Sequence, residues 1–222
     1  MHHIQQKILS RLLYAKSLSY AQMRPSGVES NHYAYHLEQL VHAGFIVKHE
    51  RGYSLSLDGL ALADRLSHDT LTVRMQPHIV TSVYVTNDAG QMVLYKHAFQ
   101  PYLDLFGALQ GRTHYEEHVA AAATRELAEK TGLHNVKLTH RGVVYIHATK
   151  DDHTVSKILA HVFTGTVTGT PELAPATAKG GCVWTKAARL RKGQCMPGFK
   201  EILKLLAHSE EFIFAELETT LA

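Results

Sequence analysis

The sequence predicts an α+β protein of two domains, and three observations carry that prediction. Over residues 1–70 the apolar spacing runs helical, then alternating, then helical again, in the order helix, helix, helix, two short strands, helix. Residues 68–77 carry no periodic pattern and end in Pro77, a boundary signal. From 77 to 210, strands precede one alanine-rich helix, and further strands and a second helix follow it. The domains are therefore expected at 1–70 and 77–210, with a tail at 211–222.

Ile4, Ile8, Leu9, Leu12 and Leu13 recur at helical spacing opposite Lys7, Arg11 and Lys16, so the first helix is amphipathic. A short second helix covers Tyr20 to Met23 and stops near Arg24, because Pro25 disfavours helical geometry in the residue before it. Ser26, with Glu29 three residues on, reads as a capping box. It opens a third helix with Val28, Tyr35, Leu37, Leu40 and Val41 as its apolar face, ending near Gly44. Phe45 to Lys48 and Tyr53 to Leu57 are strands joined by His49-Glu50-Arg51-Gly52. Asp58 is placed to cap the last helix, Leu60 to Leu66.

This order, with Tyr35-His36-Leu37, Leu40-Val41, Gly44-Phe45-Ile46 and Gly52-Tyr53-Ser54-Leu55, resembles the winged helix-turn-helix of bacterial regulators. The resemblance implies that the third helix enters the major groove of double-stranded DNA while the hairpin meets its backbone. Carried over by position, Ser30, Asn31, His32 and Tyr33 would face bases, and Lys48, His49 and Arg51 would meet phosphate. Regulators of this kind often act as homodimers. Charge pulls the other way. Residues 1–68 hold seven Lys or Arg against five Asp or Glu, and Glu29 to Ala43 contains neither Lys nor Arg, although phosphate neutralisation supplies most sequence-independent affinity. A module for self-association, or for contact with the second domain, is the competing reading.

In the second domain, Ile79 to Thr86 and Gln91 to Lys96 are β-rich runs joined by Asn87-Asp88-Ala89-Gly90, a hairpin signal. Phe99 to Gln110, with Pro101 and Gly107, is irregular. Val136 to His147, Ser156 to Thr168 and Cys182-Val183-Trp184 read as strands. Pro197-Gly198 introduces a helix from Phe199 to Ala207. The tail is expected to continue as helix, with Phe212, Phe214, Leu217 and Leu221 as its apolar positions.

Between these strands lies GRTHYEEHVAAAATRELAEKTGL, Gly111 to Leu133. Gly111, Glu117, Arg125, Glu126, Leu127, Glu129, Gly132 and Leu133 fall at the spacings of a Nudix box, which the segment resembles. Only Lys130 departs, standing where the second of two paired glutamates belongs. The resemblance implies a Nudix α/β/α sandwich with a mixed sheet over most of residues 78–207. It implies a nucleoside diphosphate derivative as the partner and Mg²⁺ or Mn²⁺ as the cofactor. Glu126 and Glu129, three apart on one helical face, would hold the metal and serve catalysis. Glu117 and Arg125 would brace loop to helix, and Gly111 and Gly132 would occupy turns where a missing Cβ lets the backbone bend.

Lys130 changes the expected chemistry. An ammonium in place of a carboxylate about 4 Å from a divalent ion is a swing on the order of 10 kcal/mol at an effective dielectric near 20. Glu126 and Lys130 also stand in the favourable i, i+4 order. No acid lies just before Cys182, the nearest being Glu172. Two functions stay open: a metal-dependent pyrophosphohydrolase with an attached DNA-binding-like domain, and a nucleotide-sensing transcriptional regulator that binds ligand without efficient hydrolysis.

Composition bounds the rest. A net charge of +3 permits nucleic acid or nucleotide partners without demanding either. Two cysteines, Cys182 and Cys195, are expected as free thiols in a reducing cytoplasm, and no apolar run is long enough for a signal peptide or membrane span. His114-Tyr115-Glu116-Glu117-His118 matches an inverted zinc-protease pattern, but among 17 scattered histidines a five-residue match is weak. Lys96, Arg112, Arg141 and His147 are further candidates for phosphate or base contact, and Trp184 reads as core.

Overall fold

The apolar spacing at the start of the chain is met by helix α1 (His3–Leu12), which buries Ile4, Ile8, Leu9 and Leu12. This is a computed structural model that describes residues 1–67 and 73–221. The chain divides into two compact units, Met1–Met75 and Gln76–Ala222. The stretch read as a linker, 68–77, lies partly outside the described residues.

In the first unit α2 (Tyr20–Met23) ends at Arg24, which is extended as Pro25 requires. Helix α3 (Ser30–His42) starts later than a box at Ser26 would allow. Gly27 turns the chain at φ +75, and Glu29 is the N-cap without a side-chain bond. Its buried face is Tyr33, Leu37 and Leu40, while Tyr35 is exposed. Tyr33 stands at i, i+4, i+7 and i+8 with Leu37, Leu40 and Val41, whereas Tyr35 is two residues from Leu37 and falls on another face, so helical spacing itself corrects the expected apolar set. Strands β1 (Ile46–His49) and β2 (Gly52–Leu55) make an antiparallel hairpin. Ser56, rather than Asp58, caps α4 (Leu57–Arg65): its Oγ accepts from the Gly59 N–H at 2.9 Å and donates to the Gly44 carbonyl. One core, including Ile8, Leu9, Met23, Tyr33, Leu40, Ile46 and Leu62, joins these elements.

The second unit is built on a mixed eight-stranded sheet ordered β10-β7-β8-β3-β4-β5, with β6 on β3 and β9 on β4. Its strands are β3 (His78–Asn87), β4 (Met92–His97), β5 (Phe106–Gly107), β6 (Leu109–Arg112), β7 (Thr139–Lys150), β8 (His153–Val167), β9 (Gly180–Thr185) and β10 (Ile213–Thr220). Helix α5 (Val119–Thr131) covers one face over Val83, Val85, Val93 and Leu109, and α6 (Phe199–His208) the other over Val80, Tyr84, Leu94 and Val144. Alternation along β3 feeds both cores. The turn after β3 forms around Asn87, whose Oδ1 accepts from the Ala89 and Gln91 N–H groups. Beyond it the two strands share only the pair Thr86 and Met92. From there β3 joins β8 and β6 while β4 joins β9.

The tail is a strand, not a helix. β10 pairs in parallel with β7 from Ile213 to Thr220 and turns Ile213, Ala215 and Leu217 toward the α6 core, leaving Phe214, Glu216 and Glu218 outside. Period two fits IFAELETT better than the helical set chosen for it, and the open edge of β7 supplies the missing backbone partners. Cys182 and Cys195 are free. Among the described residues no helix is long and apolar enough to cross a membrane.

Candidate functional site

The box folds as loop, helix and stop. Gly111 sits on β6, α5 begins after His118, and Gly132 ends it in the left-handed region at φ +73. Gly111 is required by contact: a Cβ there would lie 1.7 Å from Cδ of Glu126. Only a glycine lets the Glu126 carboxylate cross this strand.

Arg125 is the hub. Its Nε and one terminal nitrogen donate to the two oxygens of Glu117 at 2.8 and 2.9 Å. The other terminal nitrogen reaches Glu126 at 2.8 Å and Glu129 at 3.3 Å. A further bond to the Arg112 carbonyl, 3.2 Å, ties helix to loop. The Arg125 hydrogen bonds, helped by the His114 N–H, pull the Glu117 carboxyl down to about 2. Its contribution to stability is therefore present above the ordinary value of 4.5 and lost as pH falls toward 2. Glu117→Gln is expected to lower Tm at pH 7, with the gap to wild type closing between those two pH values in thermal melts.

Lys130 folds back along α5. Its Nζ lies 3.1 Å from Glu126 Oε2, donates to the Gln110 carbonyl, and stands 4.9 Å over the Tyr95 ring. A carboxylate, a carbonyl and a π face thus surround one ammonium. Glu126 is 8% exposed and has one oxygen on Arg125 and the other on Lys130. Glu129 is turned to solvent. Mg²⁺ takes near-octahedral oxygen ligands. Each Glu126 oxygen already accepts from a cation and the Lys130 charge sits between Glu126 and the Gln110 carbonyl, so a divalent ion at that point would meet like charge and the residues fit a resident ammonium better.

Beside this cluster is a cleft of about 490 Å³, walled by Gln110, Gly111, Arg112, Glu126, Glu129 and Lys130 from the box and by Tyr95, His97, Phe99, Pro175, Thr177, Lys179 and Gly180. Of the further candidates only Arg112 lines it. Lys96 pairs with Asp104, Arg141 donates to the Ser209 carbonyl and His147 pairs with Glu218. Trp184 packs on the α5 core and donates to the Pro171 carbonyl. Tyr95, His97 and Phe99 were missed in the sequence, although their period-two spacing at the end of a strand puts neighbours on one side. The zinc pattern fails on geometry: both Glu117 oxygens belong to Arg125, and among the described residues no three His, Cys, Asp or Glu groups converge to hold a metal.

In the first unit Ser30, Asn31 and His32 are exposed at the start of α3, and Lys48, His49 and Arg51 are exposed on the hairpin. Tyr33 cannot face bases. It is fully buried, and its hydroxyl donates to the Tyr20 carbonyl at 2.7 Å. A groove of about 920 Å³ runs between α3 and the hairpin past Glu38, His42, Lys48 and Arg51, which leaves Ser30, Asn31 and His32 outside it.

A NUDIX domain model matches residues 76–206. A Bacillus subtilis (strain 168) protein, provisionally named an 8-oxo-dGTP diphosphatase, is 33% identical over 108 residues, covering 49% of this chain and 66% of its own length. The MutT protein from Bacillus halodurans shares the fold at TM-score 0.53 and 21% identity over 64% of this chain and 90% of its own. The NUDIX domain of Shewanella oneidensis NrtR, solved with ADP ribose, does so at 0.50 and 12% over 60% and 88%. With the box folded around Arg125, the helices on both sheet faces and the matched span filling most of the second unit, the chain belongs to the NUDIX domain family.

Proposed function

We propose that the second unit binds a nucleoside diphosphate derivative in the cleft beside the box and hydrolyses it slowly or not at all, with Lys130 standing where a metal would serve. The observation that carries this reading is the Lys130 ammonium between Glu126 and the Gln110 carbonyl. Divalent metals are typical of Nudix enzymes. Here a fixed positive charge meets the ligand's phosphates together with Arg112 and Lys179, which also line the cleft. The cleft volume lies in the range of small-molecule sites. The ADP ribose in the Shewanella protein and the nucleotide in the Bacillus subtilis name support the ligand class. A panel of nucleoside diphosphate derivatives, with and without Mg²⁺ or Mn²⁺, tests it. Thermal stabilisation with little product release is expected; rapid metal-dependent turnover would assign the unit as a hydrolase.

A regulatory role for the whole chain rests on the first unit. Its three helices, hairpin and fourth helix are compatible with a winged helix, and Ser30, Asn31, His32, Lys48 and Arg51 stand exposed on the elements that would meet DNA. α3 contains no Lys or Arg, so the hairpin cations supply most of the attraction. In a gel-shift titration the protein should bind its own upstream DNA at low salt, and Arg51→Ala should weaken binding and lower the salt slope by about 1. No shift at low salt removes DNA from the account.

A further inference from the structure

The sheet face opposite α6 is covered only in part. α5 lies over β3, β4 and β6, where Val83, Val93 and Leu109 meet it. On β10, β7 and β8 the alternation that sends Ile213, Val144, Ile146 and Ala160 into the α6 core sends their neighbours to the other side. Many of those neighbours are apolar. Val143, Tyr145 and Leu159 are partly exposed, Phe214 is 73% exposed, and Ile79, beside Leu159 on β3, is 50% exposed. Among the described residues none of these five joins the core under α5 or the core under α6. Phe212 extends the patch, 62% exposed and edge-on to the His140 ring. A sheet face that meets only water carries polar side chains, whereas a contiguous apolar patch with a charged rim marks an interaction surface.

The rim carries opposite signs on its two sides. Register sets Glu218 of β10, His147 of β7 and Lys157 of β8 in one row across the strands, with Glu216 beside Tyr145 in a neighbouring row. Glu216, Glu218 and Lys157 are all exposed. His147 Nδ1 lies 2.8 Å from Glu218 Oε2 and anchors the carboxylate on the acidic side. A second copy turned about a two-fold axis along β7 lays its β8 over β10 of the first, and its β10 over β8. Lys157 of each copy then faces Glu218 of the other, while Val143 and Tyr145 meet their own counterparts at the centre. The outer edge of β10 offers a different way to pair copies, since β10 ends the sheet. That edge is guarded: an antiparallel β10 pair centred on Leu217 sets Glu216 opposite Glu218 of the copy, like charge against like.

We propose that the open face of β10, β7 and β8 is the surface through which two copies of this chain associate, sheet on sheet, with Tyr145 at the centre and two Lys157 to Glu218 pairs setting the register. The face is only three to four strands wide, at the small end of specific interfaces, so a dissociation constant on the order of micromolar is expected. The inference is independent of the ligand assigned to the cleft.

Sedimentation velocity on the full chain, from about 0.1 to 100 μM, tests it. Wild type should pass from monomer to dimer across that range. Tyr145→Arg places two charges at the centre and should weaken association by at least about 100-fold. Lys157→Glu and Glu218→Lys should each weaken it by about 10-fold, and the two together should return it to within about threefold of wild type. Both charged side chains are exposed, so these variants should keep wild-type melting curves, and they decide the matter if Tyr145→Arg does not fold. A wild type that stays monomeric over the whole range would overturn the inference. So would a dimer indifferent to these substitutions, or a double variant that recovers nothing. A dimer strengthened by Glu218→Lys and blind to Lys157→Glu would assign association to the β10 edge instead.

Discussion

Lys130→Glu should make the ligand-free protein markedly less stable and, at the same time, make it bind Mg²⁺. In wild type the ammonium neutralises the inner Glu126 carboxylate, and both side chains are less than a quarter exposed. Putting a second carboxylate there removes one partner of a largely buried pair and adds like-charge repulsion. The cost is about 3 kcal/mol, taking the lower end for a broken buried pair. For a unit of this size that is roughly 10 °C in Tm. Millimolar Mg²⁺ should restore most of that loss, because the new carboxylate, Glu126 and the vacated Gln110 carbonyl then offer oxygens to a hard cation. Wild-type Tm should be nearly indifferent to the same Mg²⁺. Calorimetric titration and melts with and without chelator check both halves. If the variant gains no metal affinity, the role assigned to Lys130 is wrong.

Gly111→Ala is the second large effect, and it acts through shape alone. The added methyl would overlap Cδ, Cγ and Oε1 of Glu126 at 1.7 to 2.1 Å. Something must move, and the carboxylate is pinned by Arg125 and Lys130. Overpacking of this kind costs about 1–3 kcal/mol. The larger consequence is for binding. Displacing Glu126 frees Lys130 from its seat and disturbs the wall of the cleft, so the ligand-induced rise in Tm should disappear. Chemical denaturation should show the stability loss as a lower midpoint with an unchanged slope. A variant of wild-type stability that still binds nucleotide would contradict the placement of Glu126 over Gly111.

These effects concern residues the sequence brought forward by spacing. Gly111, Glu117, Arg125, Glu126 and Gly132 were legible through the resemblance to a Nudix box, whose glycines and ion pair recur at set intervals that survive in a one-dimensional string. Both helices of the second unit and strands β3, β4, β7, β8 and β9 were legible through periods of 3.6 and 2, whereas Phe99 to Gln110, read as irregular, contains β5 and the start of β6. What failed depended on partners distant in sequence. Tyr35 is the exception, a local misreading, since the helical spacing from Leu37 and Leu40 already favours Tyr33. Ser56 outcompetes Asp58 as the cap because it also bonds the Gly44 carbonyl across the hairpin. The tail became a strand because β7 offered an open edge. The mismatch at Lys130 could be seen at once, whereas its seat between Glu126 and Gln110 could not.

The central claim is that a side-chain ammonium takes the part of a metal ion in ligand binding. It is tested most directly by titrating wild type with its best nucleoside diphosphate ligand, once in excess EDTA and once in millimolar Mg²⁺. The account predicts dissociation constants that agree within about threefold, less than 1 kcal/mol apart. Binding that vanishes in EDTA and returns with Mg²⁺ would contradict it.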